Sequence, residues 1–114
     1  MGSNTRLSGA SVEILCALGG GEQHGYAIMQ LIRHASDGRR RIGPGTLYRN
    51  LQALAEAGLI TEIKRAPESA GEERRRYYRL TAAGRRVMVD ELRRMNSLIA
   101  LSMAARTRTL ASSS

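Results

Sequence analysis

The stretch that decides the fold runs from Gly43 to Thr61: Gly-Pro-Gly-Thr-Leu-Tyr-Arg-Asn-Leu-Gln-Ala-Leu-Ala-Glu-Ala-Gly-Leu-Ile-Thr. Leu47, Leu51 and Leu54 recur at i, i+4 and i+7, which puts them on one helical face, while Tyr48, Arg49, Gln52 and Glu56 point elsewhere. Pro44 suits the first helical position, where a missing N–H costs nothing, and Thr46 falls in the first turn. Gly58 can take the left-handed conformation that ends a helix, and Leu59 and Ile60 beyond it begin an extended run. The exposed side carries Thr46, Tyr48, Arg49, Asn50 and Gln52, a set of donors, acceptors and one ring within about two turns. Such a face suits a polyanion with hydrogen-bonding edges. It is equally what a solvated helix presents.

Upstream, Val12, Ile14, Leu15 and Leu18 recur at helical spacing from Leu7 to Leu18, with Ser8 or Ser11 available as a cap. Three consecutive glycines from Gly19 stop that helix, because their backbone entropy is too costly to fix. A second helix is predicted from about Gly25 to His34, burying Ala27, Ile28, Leu31 and Ile32. Tyr26 stands at its positive N-terminal end, either as a hydroxyl donor to a phosphate or as a core aromatic. His24 and His34 read as ordinary surface residues. Ser36 to Gly38 is a turn, and Arg39-Arg40-Arg41-Ile42 is predicted as a brief strand. From Arg33 to Arg49 there are five basic residues against one acid, the densest basic stretch beside the central helix. A run of three arginines is commonly a solvated surface, but its place here favours phosphate contact.

Downstream, Ile60 to Arg65 alternates apolar and polar, the pattern of a half-buried strand. Ala66 to Glu73 reads as a loop, and Arg74 to Leu80 as a second strand with aromatic residues in its second half. The two form a hairpin whose acids, Glu68, Glu72 and Glu73, lie in the loop while the basic residues lie on the strands. Thr81 is a good N-cap for a helix from Ala82 to about Ala105, on the order of 35 Å long at 1.5 Å per residue. Met88, Leu92, Met95, Ile99 and Met103 draw one apolar stripe along it. So small a core cannot cover so long a stripe, which points to a second copy of the chain as its cover; packing within the chain is the alternative. Residues 106–114 are expected to be a disordered tail.

At 114 residues the chain fits one domain with a protruding element. Its net charge of +8 favours nucleic acid or an anionic membrane surface as partner. Arginine outnumbers lysine 17 to one, which suits phosphate and guanine edges but would also follow from a GC-rich genome. Placement therefore weighs more than abundance. With Cys16 as the one cysteine, neither an internal disulfide nor a cysteine-based metal cage can form within a chain. No run of membrane-spanning length and no signal-peptide pattern is present, so a cytoplasmic location is expected, with no membrane partner. Nothing matches a nucleophile with its base, a carboxylate pair, a phosphate loop or a metal cluster, so the chain is read as no enzyme, with no cofactor and no metal.

Three helices, a hairpin directly after the third and a long helix make an α+β, mainly α arrangement: a winged helix-turn-helix with a long C-terminal dimerisation helix. Residues 7–80 would be the DNA-binding domain and 81–105 the dimerisation helix. The sequence resembles the PadR-type transcriptional regulators. The resemblance rests on His24-Gly25-Tyr26, on Gly45-Thr46-Leu47-Tyr48, on Leu54-Ala55-Glu56-Ala57-Gly58-Leu59-Ile60, and on Tyr77-Tyr78-Arg79-Leu80-Thr81 followed by Gly84. Many members have proline where this chain has Arg49, and room for one C-terminal helix makes it similar to the short subgroup.

The resemblance implies a homodimer that binds pseudo-palindromic operator DNA through the third helix and the wing, usually as a repressor released by a small ligand or signal. Carried over by position, Thr46 and Tyr48 would face the major groove, Tyr26 would meet a backbone phosphate, and the wing strands would reach the flanking groove. The full expected DNA-binding set is Tyr26, Arg41, Gly45, Thr46, Tyr48, Arg49, Gln52, Lys64, Arg65, Arg74, Arg75 and Arg76. Leu15, Met88, Leu92, Met95, Ile99 and Met103 are expected at the dimer interface, where Leu15, Met88, Leu92 and Met95 would line an effector cavity or be plain dimer core. The rival class is a winged-helix protein-interaction module without specific DNA readout, against which the basic patches flanking the third helix speak.

Overall fold

The computed structural model describes residues 7–65 and 75–112. In chain order its elements are α1 (Gly9–Ala17), β1 (Gln23–His24), α2 (Gly25–Ala35), α3 (Pro44–Glu56), β2 (Ile60–Arg65), β3 (Arg75–Leu80) and α4 (Ala82–Ser112). Ile14, Leu15, Leu18, Ile28, Leu47, Leu51 and Leu54 are almost fully buried, so α1, α2 and α3 meet around one aliphatic core. Ile60, Tyr78 and Met88 join that core from the strands and from α4. The stripe Leu47, Leu51, Leu54 is the inward face of α3, as its spacing predicts.

Each helix begins and ends for an identifiable reason. The Ser8 hydroxyl caps α1 by accepting the Ser11 N–H at 3.1 Å. Pro44 opens α3, and Gly58, at φ +77°, closes it with the Leu59 N–H bonded to the Leu54 carbonyl and the Gly58 N–H to that of Ala55. That pair of bonds is the Schellman pattern, satisfying carbonyls the helix would otherwise leave open. Thr81 caps α4 through Gly84 N–H at 3.0 Å while its own hydroxyl donates to the Gly58 carbonyl at 2.6 Å. The first turn of α4 therefore grips the end of α3. A side chain at Gly84 would overlap the Leu59 carbonyl, which accounts for glycine there.

Three features depart from the sequence expectation. Residues 39–43 form no strand; Ser36 Oγ accepts the Arg40 N–H at 2.8 Å, and Arg40 Nε donates to Glu13 Oε1 at 2.7 Å, so this segment is pinned to α2 and α1 by side chains. The sheet has a third strand, in the order β1-β3-β2 and antiparallel throughout. In β1, Gln23 stands opposite Tyr78 and His24 opposite Tyr77. Two residues carry too little pattern to be recognised as a strand. Finally, α4 runs through Arg106 to Ser112, where a disordered tail was expected. Residues 85–112 contain no glycine or proline, and alanine, leucine and arginine sustain a helix at low cost. At 31 residues α4 is roughly 46 Å long and gives the chain its extent of 71 Å.

Candidate nucleic-acid interface

The α2–turn–α3 unit sets the candidate surface. His24 is the N-cap of α2, its Nδ1 accepting the Ala27 N–H at 3.3 Å, and its ring meets Tyr77 edge to face with centroids 5.5 Å apart. The sequence reading of His24 as an ordinary surface residue is thereby corrected: it joins the sheet to the helix-turn-helix. Because Nδ1 accepts, the proton of the neutral ring sits on Nε2. At its other end α2 closes on Asp37, at φ +53°, with the Gly38 N–H bonded to the Arg33 carbonyl at 2.8 Å. An aspartate tolerates that left-handed conformation better than a branched residue would. Leu31, expected inside, is exposed, leaving Ile28 and Ile32 as the buried pair of α2.

Tyr26 is 61% exposed beside the α2 N-terminus, so of its two readings the core aromatic is excluded. Gly45, Thr46, Arg49 and Gln52 are exposed along α3, and Arg41 is exposed in the segment leading into it. Tyr48 is 47% exposed, with its ring lying across Gly25: a Cβ there would come within 2.6 Å of the phenol oxygen and 3.1 Å of Cζ. The two sequence motifs, Gly25-Tyr26 and Leu47-Tyr48, are thus two sides of one contact. Asn50, read as part of the outward face, turns inward to the start of α1.

Beside α3, β2 and β3 pair from Ile60 opposite Leu80 to Arg65 opposite Arg75. Lys64 and Arg76 are paired and exposed. Arg65 and Arg75 are placed by their backbones, and Arg74, together with the Ala66 to Glu73 segment expected as a loop, lies outside the described residues. Arg76 Nε sits 3.2 Å from Glu62 Oε1. Burial, then the Glu62 carboxylate, push the Tyr78 phenol above its ordinary range. Between α3 and the sheet a cleft of about 330 Å³ is lined by Tyr48, Gln52, Glu56, Glu62 and Arg76 among others. Two carboxylates meet here that lie apart in sequence. Only the fold brings Glu56 of α3 beside Glu62 of β2.

Residues of α1, α2 and α4 line an apolar groove of about 880 Å³, with Val12, Cys16, Leu31, Leu92 and Met95 on its walls. The packing around Cys16, and then the Glu13 carboxylate, push its thiol up. Leu92, Met95, Ile99 and Met103 are exposed, and Leu98, Leu101 and Leu110 extend the apolar surface of α4. Leu15 does not belong with them. It is fully buried in the chain's own core, as Met88 is at 9% exposure, which corrects the expectation that both face a second copy. Among the described residues no group of three or more His, Cys, Asp or Glu could hold a metal ion, and no helix is long and apolar enough to cross a membrane.

Two helices joined by a turn, a paired hairpin beside the second and a capped helix beyond it define a winged helix-turn-helix protein. The chain belongs to the transcriptional regulator PadR-like family, whose model matches residues 14–90. It is 39% identical over 93 residues to an uncharacterized 37.1 kDa protein of transposon TN4556 from Streptomyces fradiae, covering 82% of this chain and 25% of that one. Over 78 residues it is 35% identical to the transcriptional regulator Rv3488 of Mycobacterium tuberculosis, covering 68% of this chain and 66% of that one. The chain thus spans a quarter of one relative's length and just under two thirds of the other's. Among solved structures, a transcriptional regulator from Clostridium thermocellum is 28% identical with a TM-score of 0.69, covering 82% of this chain and 89% of that one. Bacillus subtilis PadR in complex with operator DNA shares the fold at a TM-score of 0.67 and 23% identity, covering 76% of this chain and 48% of that one.

Proposed function

We propose that the chain is a homodimeric, sequence-specific DNA-binding regulator that represses transcription from a pseudo-palindromic operator. The observation that carries this reading is the exposure of Thr46, Tyr48, Arg49 and Gln52 along one helix, flanked by Arg41 on one side and by Lys64 and Arg76 on the other. Polar side chains on α3 suit base edges in a major groove about 12 Å wide. Flanking cations suit phosphates, with Tyr26 as a neutral donor at the α2 N-terminus. The family assignment and the operator complex of Bacillus subtilis PadR support the same placement.

The unpaired stripe of α4 supports the dimer. Leu92, Met95, Ile99 and Met103 expose apolar surface that a lone chain leaves in water, at a cost of roughly 25 cal/mol per Å². A second copy of α4 is its economical cover. A small-molecule effector, which the family resemblance implies, would have its room in the groove between α1, α2 and α4. The testing experiment is selection of duplexes from a randomised pool, followed by footprinting on the selected sequence. Enrichment of an inverted repeat supports the proposal, and enrichment of nothing over random DNA refutes it.

A further inference from the structure

Ser11, in the first turn of α1, is a buried polar side chain. Its hydroxyl donates to Asn50 Oδ1 at 2.8 Å, across 39 positions of sequence, and Ser8 Oγ lies 3.2 Å from the same oxygen. The Asn50 Nδ2 donates to the Thr46 carbonyl at 2.7 Å. A carbonyl can only accept, so the nitrogen must face Thr46 and the oxygen must face the serines; the amide has one satisfactory orientation. The Asn50 oxygen is then held by the Ser11 hydroxyl, with the single Ser8 proton shared between it and Ser11 Oγ, so this oxygen is engaged inside the protein.

The bonds join the first turn of α1 to the middle of α3. Leu47, Leu51 and Leu54 hold α3 against the core, but aliphatic contacts alone tolerate small rotations, whereas the 2.8 Å bond from Ser11 to Asn50, backed by Ser8, is directional. A rotation of α3 about its axis would swing Thr46, Tyr48, Arg49 and Gln52 together. We propose that Asn50 is a positioning residue for DNA reading, holding the recognition helix at a fixed rotation on α1 through Ser8 and Ser11. The proposal rests on the DNA-binding reading above.

The test uses the full chain, a duplex of about 30 base pairs selected from a random pool by the unaltered protein, and a scrambled duplex of equal length. Binding is followed by fluorescence anisotropy as salt is varied, with thermal unfolding measured in parallel. Ser11→Ala and Asn50→Ala should each weaken binding to the selected duplex by about tenfold. The double variant should be no weaker than the weaker single, because both act through one contact. Scrambled-duplex binding and the salt slope should stay as in the unaltered protein, since no phosphate contact is removed. A role in stability alone would lower the unfolding temperature and leave the selected-to-scrambled ratio unchanged, overturning the proposal. So would normal binding by Ser11→Ala beside weakened binding by Asn50→Ala, since Asn50 would then touch DNA directly. Should Asn50→Ala fail to fold, Ser11→Ala carries the same comparison. If the unaltered protein selects no duplex, the DNA-binding reading fails first; if it selects one and the ratio does not move, only the positioning role fails.

Discussion

Gly25 at the start of α2 and Tyr48 in the first turns of α3 occupy one space: the phenol lies where a side chain at position 25 would stand. The contact sets the approach of the two helices of the helix-turn-helix and leaves Tyr48 half exposed. A polar ring on the outer face of α3 is thereby given a packed, low-entropy setting.

Gly25→Ala should cost about 1–3 kcal/mol, the usual range for forcing a methyl into occupied space. In the Tyr48→Ala background the same change should cost much less, because the obstructing ring is gone. Urea unfolding of the four proteins of this cycle checks it, and additive costs would remove the contact from the account.

Tyr48→Ala and Lys64→Ala should separate two kinds of contact. Loss of Tyr48 should reduce preference for the selected duplex over a random one. Loss of Lys64 should weaken both alike and flatten the log–log salt dependence by about 0.9 per lost phosphate contact, or about 1.8 for a dimer. Titrations at several salt concentrations measure both quantities.

Much of this surface was legible in the chain, because its elements are long and strongly patterned. The i, i+4, i+7 leucines of α3, the alternation after Ile60 and the Thr81 cap each carry a local physical signal. What escaped reading depends on partners distant in sequence. Two residues of β1 are a strand only because β3 offers them an edge. Asn50 falls on a polar arc of its helix yet turns inward because Ser8 and Ser11 meet it there. Met88 begins a stripe that is otherwise exposed, but it packs with Leu15, Leu18 and the rest of the core cluster, so that end of the stripe is absorbed into the core. The Arg76–Glu62 pair likewise appears only once β2 and β3 are in register.

His24→Ala should cost about 1 kcal/mol, the typical loss of a helix cap, and His24→Asn should recover most of it. Thermal unfolding at neutral pH compares them. A cost below a few tenths of a kcal/mol for the alanine would mean that the Ala27 N–H finds another partner.

Cys16 is exposed, yet the atoms packed around its thiol and then the Glu13 carboxylate push its pKa up, so it should react with iodoacetamide at neutral pH more slowly than a free cysteine, the thiolate being the nucleophile. A raised pKa lowers the thiolate fraction at any pH below the titration range, so alkylation should accelerate later with rising pH than for a free cysteine. Glu13→Gln should bring the acceleration to lower pH. Rates followed by mass spectrometry across pH 7 to about 10 test this.

Leu92→Glu with Ile99→Glu should leave each chain folded while abolishing its pairing, because both residues are already exposed in the single chain. Leu15→Ala should do the opposite, costing about 2–5 kcal/mol of folding stability through a cavity in the core. Sedimentation equilibrium and circular dichroism distinguish the two outcomes.

In the proposed homodimer two copies of α3 enter successive major grooves. Hydroxyl-radical footprinting on a duplex selected by the protein should therefore show two protected segments related by a two-fold axis, their centres about 10 base pairs apart or a multiple of that. A single unpaired footprint, or no protection even at low salt, would overturn the homodimeric DNA-binding reading.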